Sequence, residues 1–418
     1  MKRYGHLWDR LVSWDNLLLA ARKARRGKRD RGAIQAFEFD LERELLTIQK
    51  ELETGTFRPG GFRSHWIYRP KKRLISAAPY RDRVVHHAIL NVLEPILDRH
   101  FHADSFACRK GKGTHAAVDR LQGHMRRCRY ALQGDIRKFF PSIDHEVLKA
   151  LFRRLLKDPR LLALMDRIVD HSNPQEPVLD WFSGDDLFTP TERRKGLPIG
   201  NLTSQWFANW YLNGLDHFIT SGMGLGAYVR YCDDFLLLSN DRADLRSALG
   251  RIQEYLATIR LRLHDGKCAV VPVRAGLRFV GYRVWPGHRL LPKANVRAFR
   301  KRLKSMKESY RRAELDWPEV KCRIDSWLGH ARHASTRHLI QQLSKDFVFQ
   351  WGKAVRPARA ARRVLEQQSQ ELSRDEPQQE HARQHEQQQR VSGGGVVALA
   401  LSACQPGAGW FTDRPGAA

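Results

Sequence analysis

The sequence predicts an α+β chain: an antiparallel sheet at its centre, with helices gathered toward both ends. Three observations carry this. Val229-Arg230-Tyr231 and Phe235-Leu236-Leu237-Leu238 flank Asp233-Asp234 as two short strands flank a hairpin bend. Tyr130 to Asp135 repeats the theme, a short apolar run that ends on a carboxylate. Outside these stretches, apolar residues recur at helical spacing near the N-terminus and again after Lys293.

Composition then bounds the partner. The 418 residues suffice for two or three domains with cores of their own. Lysine and arginine number 73 against 45 acidic residues, a formal net charge of +28, in a chain that is 42% hydrophobic. A folded chain with so positive a field implies a polyanion, and nucleic acid is the usual one. A membrane surface fits less well, because no basic stretch combines helical periodicity with an exposed aromatic face. No apolar run approaches a membrane span, and Met1 to Asp9 holds no signal-peptide core, so a cytoplasmic protein is expected. Six cysteines lie far apart without a C-x-x-C pair, which argues against a disulfide framework or zinc module.

In chain order, Trp8 to Leu52 reads as helices, with Leu11, Leu17, Leu18 and Leu19, then Phe37, Leu41, Leu45, Leu46 and Ile48, separated by a basic break from Arg22 to Arg31. That break is either a solvated loop or a contact for RNA backbone. Trp66-Ile67-Tyr68, the cationic Arg69-Pro70-Lys71-Lys72-Arg73 and Leu74-Ile75 read as strand, turn and strand. Its clustered cations are either a solvated turn or a seat for a triphosphate. A helix from Arg81 is expected to close near Glu94-Pro95. Arg109-Lys110-Gly111-Lys112-Gly113 is a Gly/Lys-rich loop that does not fit the Walker A pattern and suggests a backbone contact. Leu148 to Val169 is amphipathic and helical, Ser172 to Arg194 reads as an inserted loop, and Lys195 to Gly200 is a tight turn opening a helix with Ser204 and Gln205 near its start.

Asp233-Asp234 carries the chemistry. Adjacent carboxylates inside an apolar run repel each other and are costly to desolvate, so a cation is needed to offset the cost. Mg²⁺ suits them, since it takes hard oxygen ligands and keeps positions for substrate phosphates. An ordinary Asp-Asp turn is the plainer alternative. If the strand ending at Asp135 is a neighbour in the same antiparallel sheet, three carboxylates meet, as two-metal phosphoryl transfer requires. Taken alone, Asp135 also reads as a strand-end cap.

The ordered set, basic hairpin, R-K-G-K-G loop, Asp135-x-x-x-Phe139-Phe140, Gly196-x-Pro198-x-Gly200, Tyr231-x-Asp233-Asp234, Lys267 and Gly276 to Tyr282, resembles a reverse transcriptase over most of residues 1 to 350. The resemblance implies a right-hand polymerase: an N-terminal helical extension (1–55), interleaved fingers and palm (56–284) with an antiparallel palm sheet, a helical thumb (285–355) and a disordered low-complexity tail (356–418). It implies that Asp135, Asp233 and Asp234 bind two Mg²⁺ ions, that Arg73, Lys72, Gln205 and Lys267 face the dNTP, and that Phe140 is the aromatic gate against a ribose 2′-hydroxyl. Lys267 is equally a solvated lysine. Phe279-Val280-Gly281-Tyr282 would form the primer grip.

The turn Ile199-Gly200-Asn201-Leu202-Thr203-Ser204-Gln205 is similar, more narrowly, to the enzymes of diversity-generating retroelements, as are Phe279 to Leu291 and Ser326 to Ala331. Those enzymes copy a template RNA with errors at adenines and work with a small basic accessory protein. Retron-like, intron-like and phage-defence enzymes stay open, as does a catalytically silent RNA-binding scaffold. No maturase or HNH-type pattern follows the thumb, so a complete intron protein is not expected. Template RNA, a primer and dNTPs are the partners this implies, with no membrane.

Overall fold

The computed structural model describes residues 3–68, 72–172, 176–346 and 349. They fall into two compact units divided between Val273 and Arg274, ahead of the boundary expected near 284. The fold is mixed helix and antiparallel sheet.

The first unit begins with α1 (Trp8–Val12), α2 (Trp14–Ala24), α3 (Gly32–Phe39) and α4 (Leu41–Glu53). Ser13 caps α2, its hydroxyl accepting from the Asn16 amide at 3.4 Å. The buried stripe of α2 is Leu17, Ala20, Ala21 and Ala24. Leu19 and Leu46, counted above among the helical apolar positions, turn outward and are 44% and 49% exposed.

Next come β1 (Arg63–Ile67) and β2 (Arg73–Ala77), an antiparallel hairpin with Ile67 opposite Arg73. Its expected tip at Arg69 to Lys71 lies outside the described residues. Helix α5 (Tyr80–His100) does not close at Pro95 but runs through it. Burial of Ile96 and Leu97, the next two residues, offsets the hydrogen bond that proline removes.

After α6 (Thr114–Met125), β3 (Tyr130–Asp135) and the single turn α7 (Phe139–Ser142), the expected amphipathic region is two helices, α8 (His145–Leu155) and α9 (Pro159–Asp170). Asp158 breaks them apart: it caps α9 through the Leu161 amide and accepts the Leu7 and Trp8 amides at 2.9 and 3.0 Å, tying the N-terminus down. The unit ends with α10 (Thr189–Glu192), α11 (Leu202–His217), β4 (Tyr228–Tyr231), β5 (Asp234–Ser239), α12 (Arg242–Thr258) and β6 (Ala269–Pro272).

Four of these strands form an antiparallel sheet in the order β4-β5-β3-β6. Phe235, Leu236, Leu237 and Leu238 are all buried, although alternate residues of a strand point to opposite faces. Both faces are therefore covered, with α6 and α12 among the packing elements.

The second unit holds β7 (Leu277–Phe279), β8 (Tyr282–Val284) and β9 (Arg289–Leu290), then α13 (Lys293–Arg311), α14 (Trp317–Ala331) and α15 (Arg337–Asp346). Val280 and Gly281 join β7 to β8 at φ +39° and +88°. Such a turn fits the twist of its strands, but a β-branched residue there stores about 1–3 kcal/mol of strain. Phe299, Leu303 and Met306 are buried on α13, as its periodicity predicts, while Arg297, Arg300, Lys301, Lys304 and Lys307 are exposed. The tail expected to be disordered from 356 lies outside the described residues.

Candidate active site

Tyr231 pairs with Asp234, so the β4–β5 hairpin closes with the two-residue loop Cys232-Asp233. Cys232 sits at φ +55°, a conformation that favours glycine. The bend thus holds Asp233, while Asp234, expected in the bend too, is the first residue of β5. Across the sheet Asp234 pairs with Asp135, the last residue of β3. Register alone brings the three carboxylates to one end of the sheet.

That register requires Gly134. It pairs with Phe235, and a Cβ at Gly134 would lie 2.1 Å from the Phe235 ring. The phenyl ring lies against the bare backbone beside Asp135.

The carboxylates load one another electrostatically. Burial, then Asp233 and Asp135, push the Asp234 carboxyl well above its usual range. Asp233 is raised by burial and by Asp135, and the charges of Arg73 and Lys267 oppose the rise. Lys267 is ion-paired with Asp135. It gets there because β6 is the neighbour of β3 and the His264 amide donates to the Asp135 carbonyl at 2.8 Å. The ammonium therefore meets a carboxylate at the site's edge. Among the described residues no three His, Cys, Asp or Glu side chains are gathered tightly enough to hold a metal. The donor set still fits a hard divalent cation: three carboxylates share one sheet end, two raised by burial and then by their neighbours' charge, with one ammonium as partial counter-charge.

The other expected site residues divide. Arg73 is near enough to act on Asp233 electrostatically. Lys72 lies with its ammonium 4.6 Å from the Trp66 ring centroid, a cation–π contact within the hairpin. Phe140 is half-buried with its ring edge-on to Phe139, and its carbonyl accepts the Leu197 amide at 2.9 Å. Gln205, in the first turn of α11, meets the Cys108 thiol at 3.5 Å. The turn before α11 docks on β2: the Ser76 amide donates to the Ile199 carbonyl at 2.9 Å, and the Ala78 amide to Asn201 Oδ1 at 3.1 Å. Gly200, at φ +117°, lets the backbone pass Ile75 there.

Two stretches differ from their sequence reading. In the R-K-G-K-G loop, Arg109 pairs with Asp98 and donates to the His102 and Ser105 carbonyls, and Lys112 donates to the Ala103 carbonyl. These cations close the loop on itself instead of standing free for a nucleic-acid backbone. The inserted loop is pinned by ion pairs that its loop-like sequence did not show: Asp180 pairs with Arg137 and Arg262, and Arg193 with Asp144 and Asp185. The alternation of acids in the loop with arginines elsewhere was the available signal.

A sheet end bearing three carboxylates beside a cationic hairpin fits metal-assisted phosphoryl transfer. Residues 64–284 match the family "Reverse transcriptase (RNA-dependent DNA polymerase)", and the chain belongs to that family: it is an RNA-directed DNA polymerase. It is similar to Protein YkfC of Escherichia coli, 24% identical over 58% of this chain and 71% of that one. It is also similar to the group II intron-encoded protein LtrA of Lactococcus lactis, 25% identical over 43% of this chain and 28% of that protein. A third relative is a protein in the cob intron of Schizosaccharomyces pombe, 30% identical over 35% of this chain and 17% of that protein. The chain thus spans less than a third of the intron proteins it matches. Among the described residues, no helix is long and apolar enough to cross a membrane.

Proposed function

We propose that the chain copies an RNA template into DNA by two-metal nucleotidyl transfer, with Asp135, Asp233 and Asp234 holding two Mg²⁺ ions. The observation that carries this is the Asp135–Asp234 cross-strand pair with Asp233 in the adjoining loop. In the reaction a primer 3′ oxygen bonds to the α-phosphorus of a dNTP, and the α–β phosphoanhydride breaks to release pyrophosphate. Bound Mg²⁺ would supply Lewis-acid stabilisation of charge on the attacking and leaving oxygens. The chain's part is to fix the carboxylates on a rigid sheet, to offer Arg73 and Lys72 to the triphosphate, and to present Gln205 beside the templating pair. Lys267 holds Asp135 until nucleotide and metal arrive, and is then free to meet phosphate. Phe140 excludes a ribose 2′-hydroxyl.

In this reading the first unit supplies fingers and palm, and the helices after 293 form a thumb whose exposed basic face follows the template–primer backbone. The N-terminal helices are an extension, and the location is cytoplasmic. The turn Ile199 to Gln205 supports an error-prone enzyme of a diversity-generating retroelement, acting with a small basic accessory protein. The similarity to the group II intron-encoded protein LtrA and to the cob intron protein favours an intron-type enzyme instead.

Primer extension on a heteropolymeric RNA with Mg²⁺ and four dNTPs, with products sequenced, tests both levels. Errors gathered opposite template adenines support the retroelement type, and evenly accurate cDNA the intron type. RNA binding without synthesis, even with a basic partner added, would leave only the silent scaffold.

A further inference from the structure

Arg230 lies two residues before the hairpin loop and is fully buried, 0% exposed. A guanidinium has five N–H donors, and here all five are used. Nε and Nη2 make a bidentate pair with Asp216 of α11, both at 2.6 Å. The second Nη2 hydrogen goes to the Ser105 hydroxyl at 3.0 Å, and Nη1 donates to Asn209 Oδ1 at 3.1 Å and to the Cys232 carbonyl at 2.9 Å. Asp216, also 0% exposed, accepts in addition the Tyr228 hydroxyl at 2.7 Å.

The bond to the Cys232 carbonyl is the informative one. That oxygen belongs to the peptide plane joining Cys232 to Asp233, so fixing it fixes the direction in which Asp233 leaves the backbone. The same residue holds a left-handed φ that a non-glycine side chain disfavours. The main chain of Arg230 is held as well, its amide donating to the Asp104 carbonyl at 2.9 Å and its carbonyl accepting the Phe106 amide at 3.0 Å. One side chain thus ties α11, the loop 104–108 and the acidic hairpin together. Lysine could keep the charge opposite Asp216 but has three donors on a single nitrogen and no fork.

We infer that Arg230, held by Asp216, is a positioning residue for Asp233: it sets the peptide plane that aims this carboxylate. The inference rests on the reading of Asp233 as a catalytic carboxylate. A purely structural ion pair predicts a different behaviour, since buried pairs are commonly replaceable by apolar residues at no cost in stability.

The test compares full-length wild type with Arg230→Lys and with the doubly apolar Arg230→Met/Asp216→Leu, which leaves no unpaired charge. Thermal melting, primer–template affinity, kcat and KM for dNTP, and the Mg²⁺-induced rise in melting temperature are measured. Positioning predicts, in at least one variant that melts within a few degrees of wild type, primer–template affinity within twofold, kcat down at least tenfold and KM changed less than threefold. The Mg²⁺-induced rise should shrink in that variant and need at least threefold more Mg²⁺. The inference is overturned if every variant that folds keeps kcat within twofold of wild type and an unchanged Mg²⁺ response, and equally if both variants fail to fold, which would make the pair a folding determinant. Asp233→Ala run alongside separates the two levels. Synthesis by Asp233→Ala refutes the catalytic reading, whereas an inactive Asp233→Ala beside full activity in every folded Arg230 variant refutes the positioning role alone.

Discussion

Asp135 and Asp234 face each other as direct partners across β3 and β5, and Asp233 stands in the two-residue loop beside them. Placing three carboxylates at one sheet end opposes folding, with Lys267 offsetting part of the repulsion.

Removing one of these charges should therefore stabilise the metal-free protein. The folded Asp234 carboxyl is raised above its unfolded value of about 3.9, so its contribution favours folding at low pH and is lost as pH climbs through the raised value. Asp234→Asn should melt higher at neutral pH, by about 2–4 °C for each 1 kcal/mol relieved, and the gain should fade toward acid. It should abolish synthesis and flatten the Mg²⁺-induced rise in melting temperature. A variant that melts lower than wild type in EDTA would show that Asp234 is structurally satisfied.

His86 gives the opposite slope. Burial first, then the neighbouring charges of His87 and Arg83, hold it down at about 3, against an ordinary value of 6.5. The unfolded chain binds this proton first, so stability is lost as pH falls from about 6.5 toward 3. His86→Gln should shallow the acid limb of stability by about 1.4 kcal/mol per pH unit, read by chemical denaturation between pH 6 and pH 4. An unchanged slope would place the proton elsewhere.

Gly134→Ala should be poorly tolerated. The added methyl would meet the Phe235 ring, and overpacking of this kind costs about 1–3 kcal/mol. Synthesis should fall with it, because Asp135 is the next residue. Phe235→Leu in the same chain should recover part of the melting temperature, and no recovery would mean that the strain lies in the backbone.

Phe140→Ala tests the gate. Discrimination between dNTP and rNTP should drop at least tenfold, about 1.4 kcal/mol, with dNTP turnover less affected. Unchanged discrimination would leave Phe140 as a packing residue against Phe139.

The fold class and the carboxylates were legible because they rest on local signals. Short apolar runs bounded by turn residues mark strands, and a charge pair inside one is costly enough to need a reason. Basic side chains were harder. Arg109 and Lys112 look the same in sequence as Arg297 and Lys304, yet the first two are spent on carbonyls and Asp98 while the latter are exposed. Whether a cation finds an internal partner depends on register and loop closure, which no local pattern encodes. Lys267 shows the same limit, since only the adjacency of β6 to β3 brings it to Asp135. Pro95 misled because burial of the following turn outweighed the break. Arg230 did leave a signal, a lone charge within an otherwise apolar strand.

Asp233→Ala is the most direct measurement: primer extension on an RNA template with Mg²⁺ and dNTPs, alongside primer–template binding by the same preparation. Wild type should make cDNA, and the variant should make none while binding within about twofold of wild type. Synthesis by Asp233→Ala, or loss of synthesis and binding together, would contradict a catalytic role for the hairpin carboxylates.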